Sequence, residues 1–231
     1  MFTRSAAFYD AVYAWKDYAE ESAAVDRLIQ ERRPGARTLL DVACGTGGHL
    51  RHLRKLYESE GLDADPEMLA LGAANCPEVP LHEGDLTGFE LDRRFDAVTC
   101  LFSSIGYART PERLESAAAA MARHLEPGGV LLVEPWLSPD EWKVGKPHLL
   151  VVDEPELKIA RANTSGRDGR VSVVEFHYVV ATPEGVEHFT ELHELGLFTH
   201  EEYTAAFERA GLRIEHDPDG LMGRGLYVCM S

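Results

Sequence analysis

The sequence predicts an α/β fold: a mostly parallel sheet covered by helices on both faces and interrupted once by an antiparallel meander. Three observations carry that reading. Over residues 1–136, short runs that are apolar on both sides alternate with stretches of helical spacing, as expected of strands buried between two helix layers. From about Leu149 to Phe198 the rhythm changes to extended runs joined by turn signals, which reads as antiparallel strands. A chain of 231 residues suits one domain with a sizeable core and is short for two.

The elements follow in order. Lys16 to Arg32 sets Ala19, Ala23, Leu28 and Ile29 among charges at helical spacing and stops at Arg33-Pro34-Gly35, so it reads as a covering helix. Strands are expected at Thr38 to Ala43, Ser59 to Leu62, Pro80 to His82, Phe95 to Phe102 and Val130 to Glu134. Helices at His49 to Leu56, Pro66 to Ala74 and Pro111 to Leu125 lie between them. The insert offers Leu157 to Thr164, Val171 to Ala181 and Val186 to Leu197, reversing at Gly166-Arg167-Asp168-Gly169 and Pro183-Glu184-Gly185. It has too little core to stand as a domain. A helix from His200 to Ala210, stopped by Gly211, and strands Leu212 to His216 and Arg224 to Met230 bring the main sheet to seven. Residues 1–136 are thus the core, 149–198 the insert, and 199–231 the return to the core sheet.

A net charge of −16 repels phosphate backbones and anionic lipid, which argues against nucleic-acid and membrane partners while leaving a single nucleotide ligand open. No run reaches the roughly 20 apolar residues of a membrane span, and Met1 to Trp15 lacks the layout of a secretory signal. A cytoplasmic protein is expected. Cys44, Cys76, Cys100 and Cys229 have no paired spacing, and the histidines, among them His49, His52, His177 and His193, do not assemble into metal-ligand spacing. No metal is expected.

The sharpest signal is Leu39-Leu40-Asp41-Val42-Ala43-Cys44-Gly45-Thr46-Gly47-Gly48, a strand entering a glycine-rich turn. Gly45 and Gly47 let the backbone turn tightly and approach a ligand. A dinucleotide site would want G-x-G-x-x-G. The order here, D-x-A-x-G-x-G, resembles the first motif of class I S-adenosylmethionine-dependent methyltransferases, whose fold is Rossmann-like. Asp63 at the tip of the second strand suits ribose hydroxyls, with helix capping by Asp63 or Asp65 as the alternative. Asp85 and Leu86 after the third strand suit the adenine amino group and ring, with a plain turn as the alternative. Each lies at a strand's carboxyl end, where open α/β sheets bind ligands. The candidate cofactor set is Lys16, Tyr18, Ala43, Cys44, Gly45, Gly47, Asp63, Ala64, Asp85, Leu86 and Leu101.

A narrower resemblance rests on Leu101-Phe102-Ser103-Ser104-Ile105-Gly106-Tyr107, on Ala122 to Gly129, and on Val133-Glu134-Pro135-Trp136. The opening Tyr9-Asp10 and Tyr13, the insert run Glu175 to Val180 and the ending Gly223-Arg224-Gly225-Leu226 extend it over nearly the whole chain. The chain is similar to the bacterial N,N-dimethyltransferases of dTDP-linked 3-amino-deoxysugars, such as those of the desosamine and mycaminose pathways. That resemblance implies a homodimer and a dTDP-sugar between the sheet edge and the insert. It also implies that Tyr13 and insert residues line the acceptor pocket and that Arg224 meets the pyrophosphate, a contact suited to an arginine between glycines. The candidate acceptor set is Tyr13, Tyr107, Trp136, Arg161, Tyr178 and Arg224. Three departures lie close to the acceptor: a shortened Ala14-Trp15-Lys16 in which Lys16 takes over the cofactor carboxylate, Tyr107 in place of a histidine, and Leu137 in place of an aromatic residue.

The sulfonium carbon is already electrophilic, so alignment is the main task, with a group to take the amine's proton. His124 and Tyr13 are the candidates for that group; a dipole-stabilising role at a helix C-terminus is the alternative for His124. Two further readings stay open: a methyltransferase for another small amine or hydroxyl acceptor, and a catalytically idle S-adenosylmethionine-binding protein.

Overall fold

The computed structural model describes residues 4–231, so the first three residues of the segment read for a secretory signal lie outside the described residues. The chain begins with a 3-10 turn, Ala6–Phe8, then α1 (Tyr9–Val12), α2 (Tyr18–Arg32), β1 (Thr38–Val42), α3 (Leu50–Leu53), β2 (Glu58–Asp63), α4 (Pro66–Asn75), β3 (Leu81–Glu83) and β4 (Phe95–Cys100). A second 3-10 turn, Ser104–Ala108, precedes α5 (Pro111–Arg123) and β5 (Leu125–Val133). The insert is β6 (Pro147–Glu154), β7 (Leu157–Asp168), β8 (Val171–Thr182) and β9 (Gly185–Gly196). The chain closes with α6 (His200–Arg209), β10 (Arg213–Asp217) and β11 (Leu226–Met230).

Among the described residues these strands form two sheets. The larger runs β10-β11-β5-β4-β1-β2-β3. Its β1–β5 members pair in parallel, and β11 runs antiparallel to both β5 and β10. After β3 the chain crosses back to lay β4 on the other side of β1, which makes the carboxyl ends of β1 and β4 the switch point where such sheets open a crevice. One face packs Phe95, Met121, Phe198 and Phe207 beneath α5 and α6, and the other packs Val25, Ile29, Leu39 and Leu53 beneath α2 and α3. No helix among the described residues is long and apolar enough to cross a membrane.

The smaller sheet is the meander β6-β7-β8-β9, each strand antiparallel to the last. It holds a fourth strand beyond the three expected: β6 is an edge strand whose Leu149 and Val151 face outward, so its apolar residues give no buried-strand signal. The reversal expected over Gly166-Arg167-Asp168-Gly169 is made at its last residue, the left-handed Gly169, because Gly166, Arg167 and Asp168 are still paired with Val173, Ser172 and Val171. The insert's small core, Ile159, Tyr178, Val180 and Phe189, is completed by Val12 of α1. Two further boundaries move. The helix expected at His49 to Leu56 is regular only over α3, and the last strand starts at Leu226, leaving Arg224 in a loop between the left-handed Gly223 and Gly225.

Inside the sheet sits one costly group. Asp41 on β1 is buried, and its Oδ1 accepts a hydrogen bond from Thr99 Oγ1 at 2.7 Å. Burial pushes its pKa up from 3.8 to about 6, and the Thr99 hydrogen bond and nearby His49 offset only part of that. A carboxyl whose folded pKa exceeds its unfolded value favours the fold while protonated and weighs against it as pH rises through about 6. Asp41→Asn should therefore stabilise the ligand-free protein by about 2–3 kcal/mol near pH 7.5, and by little near pH 4.5. Thermal unfolding at both pH values checks this; an equal difference at both would assign the effect to something other than ionisation.

Candidate active site

Beyond β1 the chain turns through Ala43, Gly45 and Gly47, all at positive φ. Asp63, at the end of β2, fixes this loop: its Oδ2 accepts from the Gly45 amide at 2.7 Å and its Oδ1 from the Asp65 amide at 2.9 Å. Capping of α4 belongs to Asp65, which accepts from the Glu67 and Met68 amides. Asp63 is thereby left facing a cavity of about 310 Å³ that it lines with Gly45, Ala64, Asp85, Leu86 and Met68. Each carboxylate oxygen has a second lone pair for ligand hydroxyls. Asp85 serves both readings offered for it. It closes a turn by accepting from the Thr87 amide and hydroxyl, accepts from Arg113 at 2.9 Å, and still lines the cavity.

A smaller pocket of about 30 Å³ continues past the loop, lined by Tyr18, Ala43, Cys44, Thr46, His49 and Leu101. Two members of the expected cofactor set lie elsewhere. Gly47 lines neither cavity; a Cβ there would sit 3.2 Å from Cys76 Sγ, so its role is the turn. Lys16 is a correction. Its side chain is fully buried, its ammonium pairs with Glu21 and lies 2.9 Å from Met222 Sδ, and it stands 4.4 Å over the Phe102 ring. A buried ammonium needs a carboxylate partner, and Glu21 satisfies it. Glu21 also bonds His49 Nε2 at 2.8 Å, so His49, which the sequence reading passed over, is the basic side chain lining the small pocket.

After β4 the backbone takes an unusual course. Phe102 and Ser103 are both left-handed, with φ of +53° and +63°, a conformation that costs a non-glycine residue about 1 kcal/mol or more. Glu134, wholly buried after β5, accepts from the Phe102 amide at 2.6 Å. Ser103 Oγ donates to the Pro135 carbonyl at 2.7 Å and accepts from Arg224 Nη1 at 2.9 Å. Burial raises the Glu134 pKa, while Lys16, the Phe102 amide and Arg224 act to lower it. These contacts aim the 3-10 turn Ser104–Ala108 into the crevice.

A third cavity, about 390 Å³, lies between this turn and the insert. Tyr13, Tyr107, Trp136, Arg161 and Arg224 of the expected acceptor set line it. Arg161 donates to Tyr13 Oη at 3.1 Å and lies 4.4 Å over the Phe176 ring; the Arg224 guanidinium lies 5.1 Å over Trp136. Tyr178 is a correction: it is 1% exposed, stacks on Phe189 at 4.8 Å and belongs to the insert's core.

His124 is the larger correction. It caps the end of α5 just before β5, and its carbonyl accepts from the Phe95 amide at the start of β4, so it sits at the amino ends of the strands, opposite the crevice. Its Nε2 accepts from the Leu91 amide at 2.9 Å, which leaves Nδ1–H to donate to the Ala120 carbonyl at 2.7 Å. Both ring nitrogens are thus structural.

Tyr9 and Ser104 were missed by the sequence reading, and both line all three cavities. Their segments carried motifs, but nothing in the spacing shows that α1 folds over the crevice. Tyr107 lines the first and third cavities, and Phe102 the second and third. His193, on the inner side of β9, lines the third and is bonded to Tyr107 Oη at 2.8 Å.

A family model described as a methyltransferase domain matches residues 39–129. The dTDP-3-amino-3,4,6-trideoxy-alpha-D-glucopyranose N,N-dimethyltransferase of Streptomyces venezuelae is 44% identical over 95% of this chain and 94% of its own. The crystal structure of DesVI from the same species superposes with a TM-score of 0.93 at 43% identity, covering 98% of each chain. A SAM-bound amino pentose methyltransferase from Micromonospora echinaspora, involved in calicheamicin biosynthesis, gives 0.88 at 40% identity, covering 100% of this chain and 97% of its own. The chain belongs to the family of dTDP-amino-deoxysugar N,N-dimethyltransferases, which are S-adenosylmethionine-dependent enzymes of the class I methyltransferase fold.

Proposed function

We propose that this chain transfers two methyl groups to the amino nitrogen of a dTDP-linked amino-deoxysugar, as a step of antibiotic biosynthesis. The observation that carries the reading is the meeting of the three cavities at Tyr9 and Ser104: a cofactor-sized space on the sheet side opens into a separate space walled by the insert. In a chain of net charge −16, two arginines with aromatic partners in that second space favour an anionic acceptor such as a nucleotide sugar.

S-Adenosylmethionine, when bound, supplies a methyl group on a sulfonium with a neutral leaving group. Asp63 accepts from the ribose hydroxyls, Asp85 Oδ2 keeps a lone pair for the adenine amino group, and Leu86 packs on the ring. Tyr18, Leu101 and His49 flank the methionine end. On the acceptor side Arg224 meets the pyrophosphate, Trp136 stacks on a base or sugar, and Tyr13 and Arg161 close the far wall. Holding the amine in line with the methyl–sulfur bond turns a two-body encounter into an internal step, which removes several kcal/mol of barrier. The insert's outward Leu149, Val151 and Val186, all more than half exposed, support the homodimer that the resemblance implies. Four free, buried cysteines suit a cytoplasmic setting.

Mass spectrometry of the enzyme's products with S-adenosylmethionine and a dTDP-3-amino-deoxysugar tests the acceptor. Two added methyl groups are expected; an untouched sugar beside a methylated simple amine would move the acceptor elsewhere. Arg224→Ala should raise the acceptor KM by about 10- to 100-fold and leave the cofactor KM within about twofold. Equal shifts in both would remove Arg224 from the phosphate.

A further inference from the structure

We propose that Tyr107, His193 and Glu191 form a relay that takes the proton from the acceptor amine, with Tyr107 as the catalytic residue and His193 and Glu191 as positioning residues behind it. The inference rests on the acceptor reading above. Tyr107, on the 3-10 turn, borders both the Asp63 cavity and the acceptor cavity, so it stands where the methyl group and the nitrogen must meet. Its hydroxyl is bonded to His193 Nδ1 at 2.8 Å, and His193 lines the acceptor cavity. Behind the imidazole, Glu191 Oε2 lies 3.8 Å from Nε2. Glu191 is anchored in turn by the Ser5 hydroxyl and by the Ser5 and Arg4 amides.

The chemistry requires such an outlet. An alkylamine is mostly protonated near neutral pH and attacks only when neutral. Each transfer forms one N–C bond as one S–C bond breaks and leaves the nitrogen positively charged, so it must shed a proton before the second transfer. The amine proton passes to Tyr107 Oη as the hydroxyl's own proton passes to His193 Nδ1. The charge comes to rest on an imidazolium beside a carboxylate, and the proton returns to solvent as product leaves.

Burial pushes the Tyr107 hydroxyl pKa well up, so this residue hands on a proton in the act of receiving one. Burial disfavours the Glu191 anion, but the neighbouring His193 ring and hydrogen bonds from the Ser5 hydroxyl and the two backbone amides outweigh it and pull its pKa down to about 2, which fixes it as the carboxylate. The other groups facing the relay are Tyr13, Asp63 and Tyr178, which act on Tyr107, and Arg161, whose guanidinium packs on the Phe176 ring that also touches His193.

Tyr107→Phe removes the relaying hydroxyl. His193→Gln keeps an acceptor for that hydroxyl but binds no proton. Both variants should lose about tenfold or more in kcat near pH 7, keep cofactor affinity by calorimetry within about threefold, and recover most of the loss near pH 9 as more amine becomes neutral. Nitrogen-15 spectra of the ligand-free wild type should show the Nε2–H tautomer of His193. Wild-type kcat in either variant near pH 7, a loss independent of pH, or an Nδ1–H tautomer overturns the relay. If the wild type leaves the amino sugar untouched, the acceptor reading fails and the relay with it; wild-type turnover with unaltered variants overturns the relay alone.

Discussion

The hydrogen bond from the Phe102 amide to Glu134 ties together the parts that make this a two-substrate site. Two successive left-handed non-glycine residues are unfavourable on their own, and a wholly buried carboxylate after the neighbouring strand holds them there. The turn that results carries Ser104 and Tyr107 into the crevice and presents Ser103 to Arg224. It also sets the Phe102 ring against two cations, 4.4 Å from the Lys16 ammonium and 5.9 Å from the Arg224 guanidinium, and both cations act to lower the Glu134 pKa. Loss of this hydrogen bond would release the strained turn and uncouple the cofactor side from the acceptor side.

The amino-terminal segment performs the second coupling. Asp10 accepts from Thr46 in the glycine-rich loop and from Asn75 at the end of α4, and pairs with Arg51. Two residues on, Val12 fills the insert's core, and Tyr13 reaches Arg161 on β7. A four-residue helix thus clamps the cofactor loop to the acceptor wall, with Tyr9 exposed to every cavity between them. This gives a physical reason for the aromatic and acidic side chains of Tyr9, Asp10 and Tyr13.

The parallel core was legible because strands covered on both faces read as unbroken apolar runs, and the loop motif marked the end of β1 where the first cavity opens. The meander was legible from its turns, but β6 was not, since an edge strand with outward Leu149 and Val151 has no buried period to detect. Arg224, Trp136, Arg161 and Tyr13 line one cavity. His124 does not: a residue that ends a helix and opens the next parallel strand must lie at the strands' amino ends, a topological rule that overrides its chemical aptness. Lys16 was misplaced because pairing with Glu21, which is fixed by His49, is invisible to spacing. The Tyr107–His193 contact joins residues 86 positions apart and depends on how the insert folds back over the sheet.

A crystal structure with S-adenosylhomocysteine and dTDP bound is the most direct test of a single site built across the Phe102–Ser103 turn. The sulfur should lie at the junction of Tyr9 and Ser104, with the nucleotide phosphates beside Arg224 and the left-handed turn unchanged. A nucleotide seated outside the third cavity, or a sulfur directed away from Ser104, would contradict it.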